Sequence, residues 1–347
     1  MRRHPVASYD PRLFDAAGPL SHDPRMLALA RRAAGARRGD PGFLARPLPP
    51  ATEAPEVLTL DELVRFAQNP LKEFARQRLL LEAREPAERP EAREPLALDY
   101  LARFKVAEDL LRFALEGGDL DLEGATRARG AARLPPGALG ELPLAEILDS
   151  VRKIRDTALE LRAGGRQPGV EVDLDLGGVR LVGHVDDLYD AGRVQASTSY
   201  GGTGRKRIAR WVEHLALNAT VGARETIAVG KEGECDRLLA EPEAAPLLAD
   251  LIAAWRVARE RPIPLFADAS HTYAQARRRG RPHRSAMQDV LKRWGQYGEP
   301  DDAARRLLGG RGPDDDGWLR GTDPSPAWSF EGLAIRVFGP LLERVRR

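Results

Sequence analysis

The stretch from Val179 to Leu217 leaves this chain the fewest ways to fold. Val179, Leu181 and Val185 alternate with less apolar neighbours, the period of a half-buried strand. Asp190-Ala191-Gly192 reads as a tight turn, and Arg193-Val194-Gln195-Ala196-Ser197-Thr198 as a second strand. After the loop Gly201-Gly202-Thr203-Gly204 a helix is expected to begin near Arg207. Its apolar residues Ile208, Trp211, Val212, Leu215 and Ala216 recur at three- and four-residue intervals. The unit is strand, turn, strand, basic loop, helix, with the acidic pair Asp186-Asp187 just past the first strand.

That unit resembles the catalytic core of the PD-(D/E)XK nucleases, which carry an acid on one strand and an acid-x-lysine triad on the next. Their carboxylates hold Mg²⁺ beside the scissile phosphate, and the lysine positions or activates water. Asp186 stands for the first acid, but the matching span on the second strand is Gln195-Ala196-Ser197. Neither a carboxylate nor a lysine occurs there, and moving the register by one residue restores neither. A single aspartate with neutral neighbours is a poor cage for a hydrated divalent cation. The resemblance therefore implies an α/β fold with a degenerate PD-(D/E)XK core, a small mixed sheet flanked by helices. No catalytic residue, bound metal or cofactor is expected.

The 347 residues are ample for a sizeable core, and the formal charge of +2 means that a charged partner must be met by a patch. The one cysteine, Cys235, excludes an intramolecular disulfide framework and a Cys-ligated iron–sulfur cluster. No apolar run approaches membrane-spanning length and the N-terminus lacks the apolar core of a signal peptide, so a cytoplasmic location is expected. Gly201 to Lys206 lacks the Gly-Lys-Ser/Thr ending of a Walker A loop, and ATP hydrolysis is not expected.

Residues 1–50, with His4-Pro5 and Arg46-Pro47-Leu48-Pro49-Pro50, read as an extended entry segment holding a short basic helix over Met26 to Arg38. Residues 51–165 read as a helical subdomain. Thr59 is its first N-cap with Glu62 three residues on, Leu63, Phe66 and Ala67 face inward, and Asn69-Pro70 breaks the run. Helices follow over Leu71 to Leu81, Tyr100 to Leu115 (through Leu101, Phe104, Leu111 and Ala114) and Leu144 to Leu161. Residues 166–347 read as the nuclease-like core with C-terminal helices. A strand is expected near Val170 to Leu176 and another over Thr226 to Val229. Helices are expected over Ala244 to Arg259, His271 to Arg279, Ser285 to Trp294 and around Leu333 to Leu341.

Leu58-Thr59-Leu60-Asp61-Glu62-Leu63-Val64-Arg65-Phe66 with Asn69-Pro70 is similar to the entry of the C-terminal nuclease-like domain of the RecC family, the gamma subunits of exodeoxyribonuclease V (RecBCD). Leu134-Pro135-Pro136-Gly137, Gly183-His184-Val185-Asp186, Trp211-Val212-Glu213-His214-Leu215, Pro262-Ile263-Pro264-Leu265-Phe266 and Phe338-Gly339-Pro340-Leu341-Leu342 agree in order. The resemblance covers nearly the whole chain but not the helicase-like domains of that family. It implies a catalytically dead domain on the path of the DNA, with RecB-like and RecD-like subunits and single- and double-stranded DNA as partners. Active relatives carry a Gln-x-x-x-Tyr helix after the core, and this chain has Trp211 and its neighbours instead.

Candidate DNA contacts are Arg205, Lys206, Arg207 and Arg210 beside the glycine loop, where helix N–H groups attract anions. A second set is Arg277, Arg278, Arg279, Arg281 and Arg284, with His283 among them. Both sets also read as ordinary surface arginine, and Asp186-Asp187 as carboxylates capping a turn. Asp314-Asp315-Asp316 reads as a solvated tip, His184 and His214 as packed or surface histidines. Trp211, Trp255 and Trp294 read as core, or as stacking platforms if exposed. Two other functions stay open. One is an active Mg²⁺-dependent nuclease whose acids come from Glu171, Asp173, Asp175 or Glu213, and the other a scaffold without DNA contact.

Overall fold

The computed structural model describes residues 5–14, 20–35, 48–49, 56–81, 97–131, 134–199, 203–295, 305, 307–308, 312–313 and 326–346. The acidic tip Asp314 to Asp316, most of the proline-rich connector and Gly201-Gly202 lie outside the described residues. The chain divides into two compact units, Met1–Pro49 and Pro50–Arg347.

In the first unit a 3-10 turn, Pro11–Phe14, precedes helix α1, Pro24–Ala34. Asp23 caps α1 by accepting from the amides of Arg25 (2.8 Å) and Met26 (3.4 Å), and Pro24 supplies a pre-set φ where no donor is needed.

The second unit opens with strand β1, Val57–Thr59, and helix α2, Leu60–Gln68. The expected capping box is present: Thr59 Oγ1 accepts from Glu62 N (3.2 Å) and Glu62 Oε2 accepts from Thr59 N (3.1 Å). Asn69 ends α2 and caps α3, Pro70–Arg78, accepting from Lys72 N at 3.0 Å. Helix α4 is Tyr100–Leu115, and a π-helical turn, Leu120–Gly124, runs into the short α5, Ala125–Gly130. Helix α6 spans Ala138–Leu161 and so starts six residues before the expected Leu144. Pro143 is accommodated inside it at the loss of one backbone hydrogen bond. The α4 face differs from its spacing as well. Val106, Leu110, Leu111 and Ala114 are its core, while Leu101 is exposed.

Strands β2, Val170–Asp175, and β3, Arg180–Val185, form an antiparallel pair, and β1 adds parallel to β3 to give the order β1-β3-β2. Beyond β3 the ribbon bends at Asp186-Asp187, where Asp187 takes φ 64°, and continues as β4, Leu188–Tyr189. Strand β5, Gly192–Ala196, accepts that bend through Val194 N to Asp187 O at 2.9 Å and Arg193 Nε to Asp186 O at 3.1 Å. Helix α7, Gly204–Val221, crosses over to β6, Thr226–Val229, which pairs parallel to β5 as such a connection requires. Two short strands that the sequence pattern does not announce, β7 (Cys235–Leu238) and β8 (Val345–Arg346), complete the order β4-β5-β6-β7-β8. Helices α8, Ala244–Glu260, α9, Ala267–Arg278, α10, His283–Arg293, and α11, Phe330–Arg344, fill the rest. The architecture is mixed α/β.

Adjacent residues of β4 show how the cores divide. Leu188 joins the main core of β3, α2, α7, α8 and α11, while Tyr189 joins Val194, Val229 and the apolar faces of α4 and α6. A third cluster joins Leu71 of α3 to Phe266, Tyr273, Met287 and Phe330. Residues of the expected helical segment 51–165 therefore enter cores that also contain the strands. No helix among the described residues is long and apolar enough to cross a membrane.

Helix α7 begins at Gly204 and not at Arg207, with Thr203 as its N-cap. The tight spot is Gly204 itself, where a Cβ would strike the carbonyl oxygen of Ala267 at the start of α9. Gly204→Ala is expected to destabilise the protein by about 1–3 kcal/mol through this overpacking, read from urea unfolding curves. A change below about 0.5 kcal/mol, the size of an ordinary surface substitution, would mean that α7 and α9 separate freely.

Candidate functional site

A cleft of about 780 Å³ opens between the end of β5, the first turns of α7 and the turn between β6 and β7. Gln195 and Ser197 reach it from β5 and just beyond, and Lys206, Arg207, Arg210 and Glu213 from one face of α7. The spacing of these four residues keeps them on neighbouring turns, while Ile208, Trp211, Val212 and Leu215 turn into the core.

The charges at and behind the α7 side of the cleft sort into two kinds, with Lys231 and Glu234 lining it from the turn between β6 and β7. Arg193 and Arg207, both almost fully buried, are matched by carboxylates: Arg193 Nη1 to Glu213 Oε2 at 2.7 Å and Arg207 Nη2 to Asp236 Oδ2 at 2.8 Å. Lys206 and Arg210 instead meet neutral groups. Arg210 Nε donates to Gln195 Oε1 at 3.3 Å, and Lys206 Nζ bonds Ser199 Oγ while lying 5.5 Å from the centre of the Phe104 ring. Burial pulls the Arg210 guanidinium below its ordinary value, reinforced by Arg207 and Arg193 and countered by Asp236 and Glu213. Burial likewise lowers Lys206, against the pull of Glu108. Glu108, on α4, accepts from Ser197 Oγ (2.8 Å), Thr198 N (2.6 Å) and Thr198 Oγ1 (2.8 Å), so it is the acid that holds this strand end.

Asp186 does not line the cleft. At the bend after β3 it lies 3.5 Å from Arg166 and 3.3 Å from His184 Nε2, and His184 Nδ1 is 3.0 Å from Glu171. Glu171 chiefly, with Asp186, raises the His184 pKa. The expected degenerate pair is thus split: Gln195 and Ser197 share the cleft, and Asp186 belongs to an exposed cluster. The other acids are also engaged, Asp173 with Arg180 (2.6 Å), Asp175 with Gly178 N (3.2 Å) and Glu213 with Arg193. Among the described residues no group of three or more His, Cys, Asp or Glu is placed to hold a metal ion.

The expected basic loop is the first turn of α7, and its residues diverge. Arg205 points toward α9, with its amide on Asp268 Oδ1 at 3.3 Å. Lys206 and Arg210 enter the cleft, and Arg207, matched by Asp236, is withdrawn from any surface contact. The second set remains at the surface: Arg277, Arg278, Arg279, Arg281 and Arg284 are all exposed around the turn from α9 to α10. Arg277 Nη1 braces the carbonyl of Arg281 at 2.9 Å, and Arg281 pairs with Asp289. His283 Nδ1 lies 3.0 Å from the Tyr273 hydroxyl. Sequence reading missed Glu108, Ser199 and Asp236, because each arrives from a separate element without a spacing signal.

Behind the cleft, His214 is fully buried and stacked on Trp211 with ring centres 5.4 Å apart. Its Nε2 lies 3.1 Å from the Leu239 carbonyl, which can only accept, so Nε2–H donates and Nδ1 accepts from Thr226 Oγ1 (2.9 Å). Asn218 ties the same region together, donating to the carbonyls of His214 (2.9 Å) and Arg224 (3.0 Å). Trp255 is core as well, and Trp294 is half-buried, edge-on to Phe266.

Fold and cleft together define a mixed α/β domain that gathers cations and hydroxyls at its strand ends. Residues 55–278 match the RecC C-terminal domain, and the chain belongs to that family. It is 31% identical over 332 residues to the RecBCD enzyme subunit RecC of Mycobacterium tuberculosis (strain H37Rv), covering 89% of this chain and 29% of that protein. The RecBCD enzyme subunit RecC of Mycolicibacterium smegmatis is 30% identical over 297 residues (81% and 26%), and that of Escherichia coli K12 27% over 269 (77% and 23%). The chain spans less than a third of the length of these relatives.

Burial, opposed by the bond to Leu239, lowers the His214 pKa from its ordinary 6.5 to about 4. A base depressed on folding leaves the unfolded chain binding the extra proton. Its contribution is therefore complete above pH 6.5 and is lost as pH falls toward 4. Between pH 7 and pH 4 this residue should remove about 3 kcal/mol of stability. Urea unfolding across that range should give a correspondingly shallower pH dependence in His214→Gln. Equal slopes in parent and variant would show that the ring is not held neutral.

Proposed function

We propose that this chain is a non-catalytic DNA-guiding and assembly module of a RecBCD-type helicase–nuclease, serving double-strand-break repair by homologous recombination. The observation that carries the reading is the lining of the cleft. Gln195, Ser197, Lys206 and Arg210 supply no acid, and of the carboxylates Glu213, Glu234 and Asp236 two are held by arginines, whereas metal-assisted phosphodiester hydrolysis needs carboxylates gathered around a divalent ion. The succession α6, β2, β3, β5, α7, β6, with β5 and β6 parallel across α7, supports reading this region as a degenerate PD-(D/E)XK core.

DNA backbone contact is assigned to the exposed arginines of the α9–α10 turn, which the fold leaves facing solvent. Assembly with RecB-like and RecD-like subunits is supported by exposed apolar residues on neighbouring elements: Tyr100 and Leu101 of α4, Leu122 of the π-helical turn, and Leu139 and Leu142 of α6. Membership of the RecC family supports both roles, because the relatives carry the name of a RecBCD enzyme subunit.

The test is to incubate the purified chain with labelled duplex and single-stranded DNA, with Mg²⁺ or Mn²⁺ present. The expected result is no cleavage, with retention that falls as salt rises, the log–log slope growing by roughly 0.9 per duplex phosphate contacted. Replacing Arg278, Arg279 and Arg284 together by Gln should flatten that slope. Cleavage that disappears in Asp186→Ala would overturn the non-catalytic reading, and retention insensitive to salt would overturn direct DNA contact.

A further inference from the structure

We propose that the cleft between β5 and α7 is a phosphate-binding site, in which Lys206 and Arg210 grip a phosphoryl group or strand phosphodiester without cutting it. The inference rests on the non-catalytic reading of the same cleft and gives that cleft a ligand.

The argument begins with charge. Arg193 with Glu213 and Arg207 with Asp236 cancel pairwise at 2.7 and 2.8 Å. Arg210 and Lys206 are left with an amide oxygen and a hydroxyl, both neutral. Glu108, the nearby acid that acts on Lys206, already receives three bonds from Ser197 and Thr198. Lys206 is exposed, but Arg210 is half-buried, and holding its guanidinium there without a carboxylate partner is costly; an anion between the two cations offsets that cost. The depressed basicity of both groups points the same way, because each is disfavoured by burial and would be restored by a bound anion.

Geometry selects phosphate among anions. The two cations stand four residues apart on one helical face, so a single tetrahedral anion can meet both. A guanidinium supplies a fork of donors and an ammonium a point charge, and the Ser199 hydroxyl adds a small donor on the facing strand end, Ser197 being committed to Glu108. A cleft of about 780 Å³ holds more than a lone phosphate, leaving room for a sugar and base beside it. The site has donors for a phosphodiester, and among the described residues no group of three or more acids, histidines or cysteines is placed to hold a metal ion there.

The experiment is a calorimetric titration of the full chain, without divalent metal and at low salt. Inorganic phosphate is used in one arm and a short oligothymidylate in the other. Arg210→Gln and the Lys206→Met, Arg210→Gln double variant are compared with parent, with Arg129→Gln as a control outside the cleft and circular dichroism to verify folding. The proposal expects phosphate affinity to fall about tenfold or more in Arg210→Gln, the loss of one charge-assisted bond. It also expects partial recovery in Arg210→Lys and no change in Arg129→Gln, whose parent residue pairs with Glu141 and does not line the cleft. Oligothymidylate weakened by the same variants identifies a strand phosphodiester as the source, whereas phosphate binding alone identifies a free phosphoryl ligand. No phosphate or oligothymidylate binding by the parent, or binding unchanged in the folded double variant, overturns the proposal. That failure is separable from failure of the guiding role, which is decided by cleavage and by the Arg278, Arg279 and Arg284 variant.

Discussion

Helix α7 is buried along almost its whole length, and a helix so enclosed must settle every charge and polar group it carries. Its apolar side does so by packing: Ile208, Trp211, Val212 and Leu215 are at most 1% exposed and fill the main core. Its polar residues do so by pairing, Arg207 with Asp236, Glu213 with Arg193, and His214 with Thr226 and Leu239. A charge left buried without its partner costs several kcal/mol, more than any one of these contacts returns. The neighbouring strands and helices are therefore positioned as much by the need to answer α7 as by their own propensities. The cleft lies where that answer stops short of Lys206 and Arg210.

Much of the frame could be read from residues. The capping box at Thr59, the break at Asn69-Pro70, the strands β2 and β3 and the inward face of α7 all follow from short-range patterns that the finished fold keeps. What failed to appear was decided at long range. Strands β7 and β8 are too short and polar to alternate, and exist because β6 offers an edge and α11 delivers the chain to it. The α7 start was misplaced because apolar spacing marks the buried face, whereas the helix begins where Thr203 can cap. The cleft was only half legible. Gln195, Ser197, Lys206 and Arg210 were singled out, but Arg207 passes for a surface arginine until Asp236 is found beside it. Glu108 gives no hint on α4 that it braces a strand end.

The cleft carries both signs of charge: Lys206, Arg207, Arg210 and Lys231 line it together with Glu213, Glu234 and Asp236. The chain belongs to the RecC C-terminal domain family, whose named relatives are subunits of the RecBCD enzyme.

The parallel pairing of β1 with β3 has a consequence for how the molecule is made. Val57 to Thr59 meet Arg180 to Val182, so their partner is synthesised more than a hundred residues after them. At ribosomal speed that gap is on the order of ten seconds. Throughout it Leu60, Leu63 and Phe66 of α2 have no strand to cover them, although the finished core buries all three. Closing so long a loop is slow, and the nascent chain is most open to aggregation or to chaperone capture in that interval.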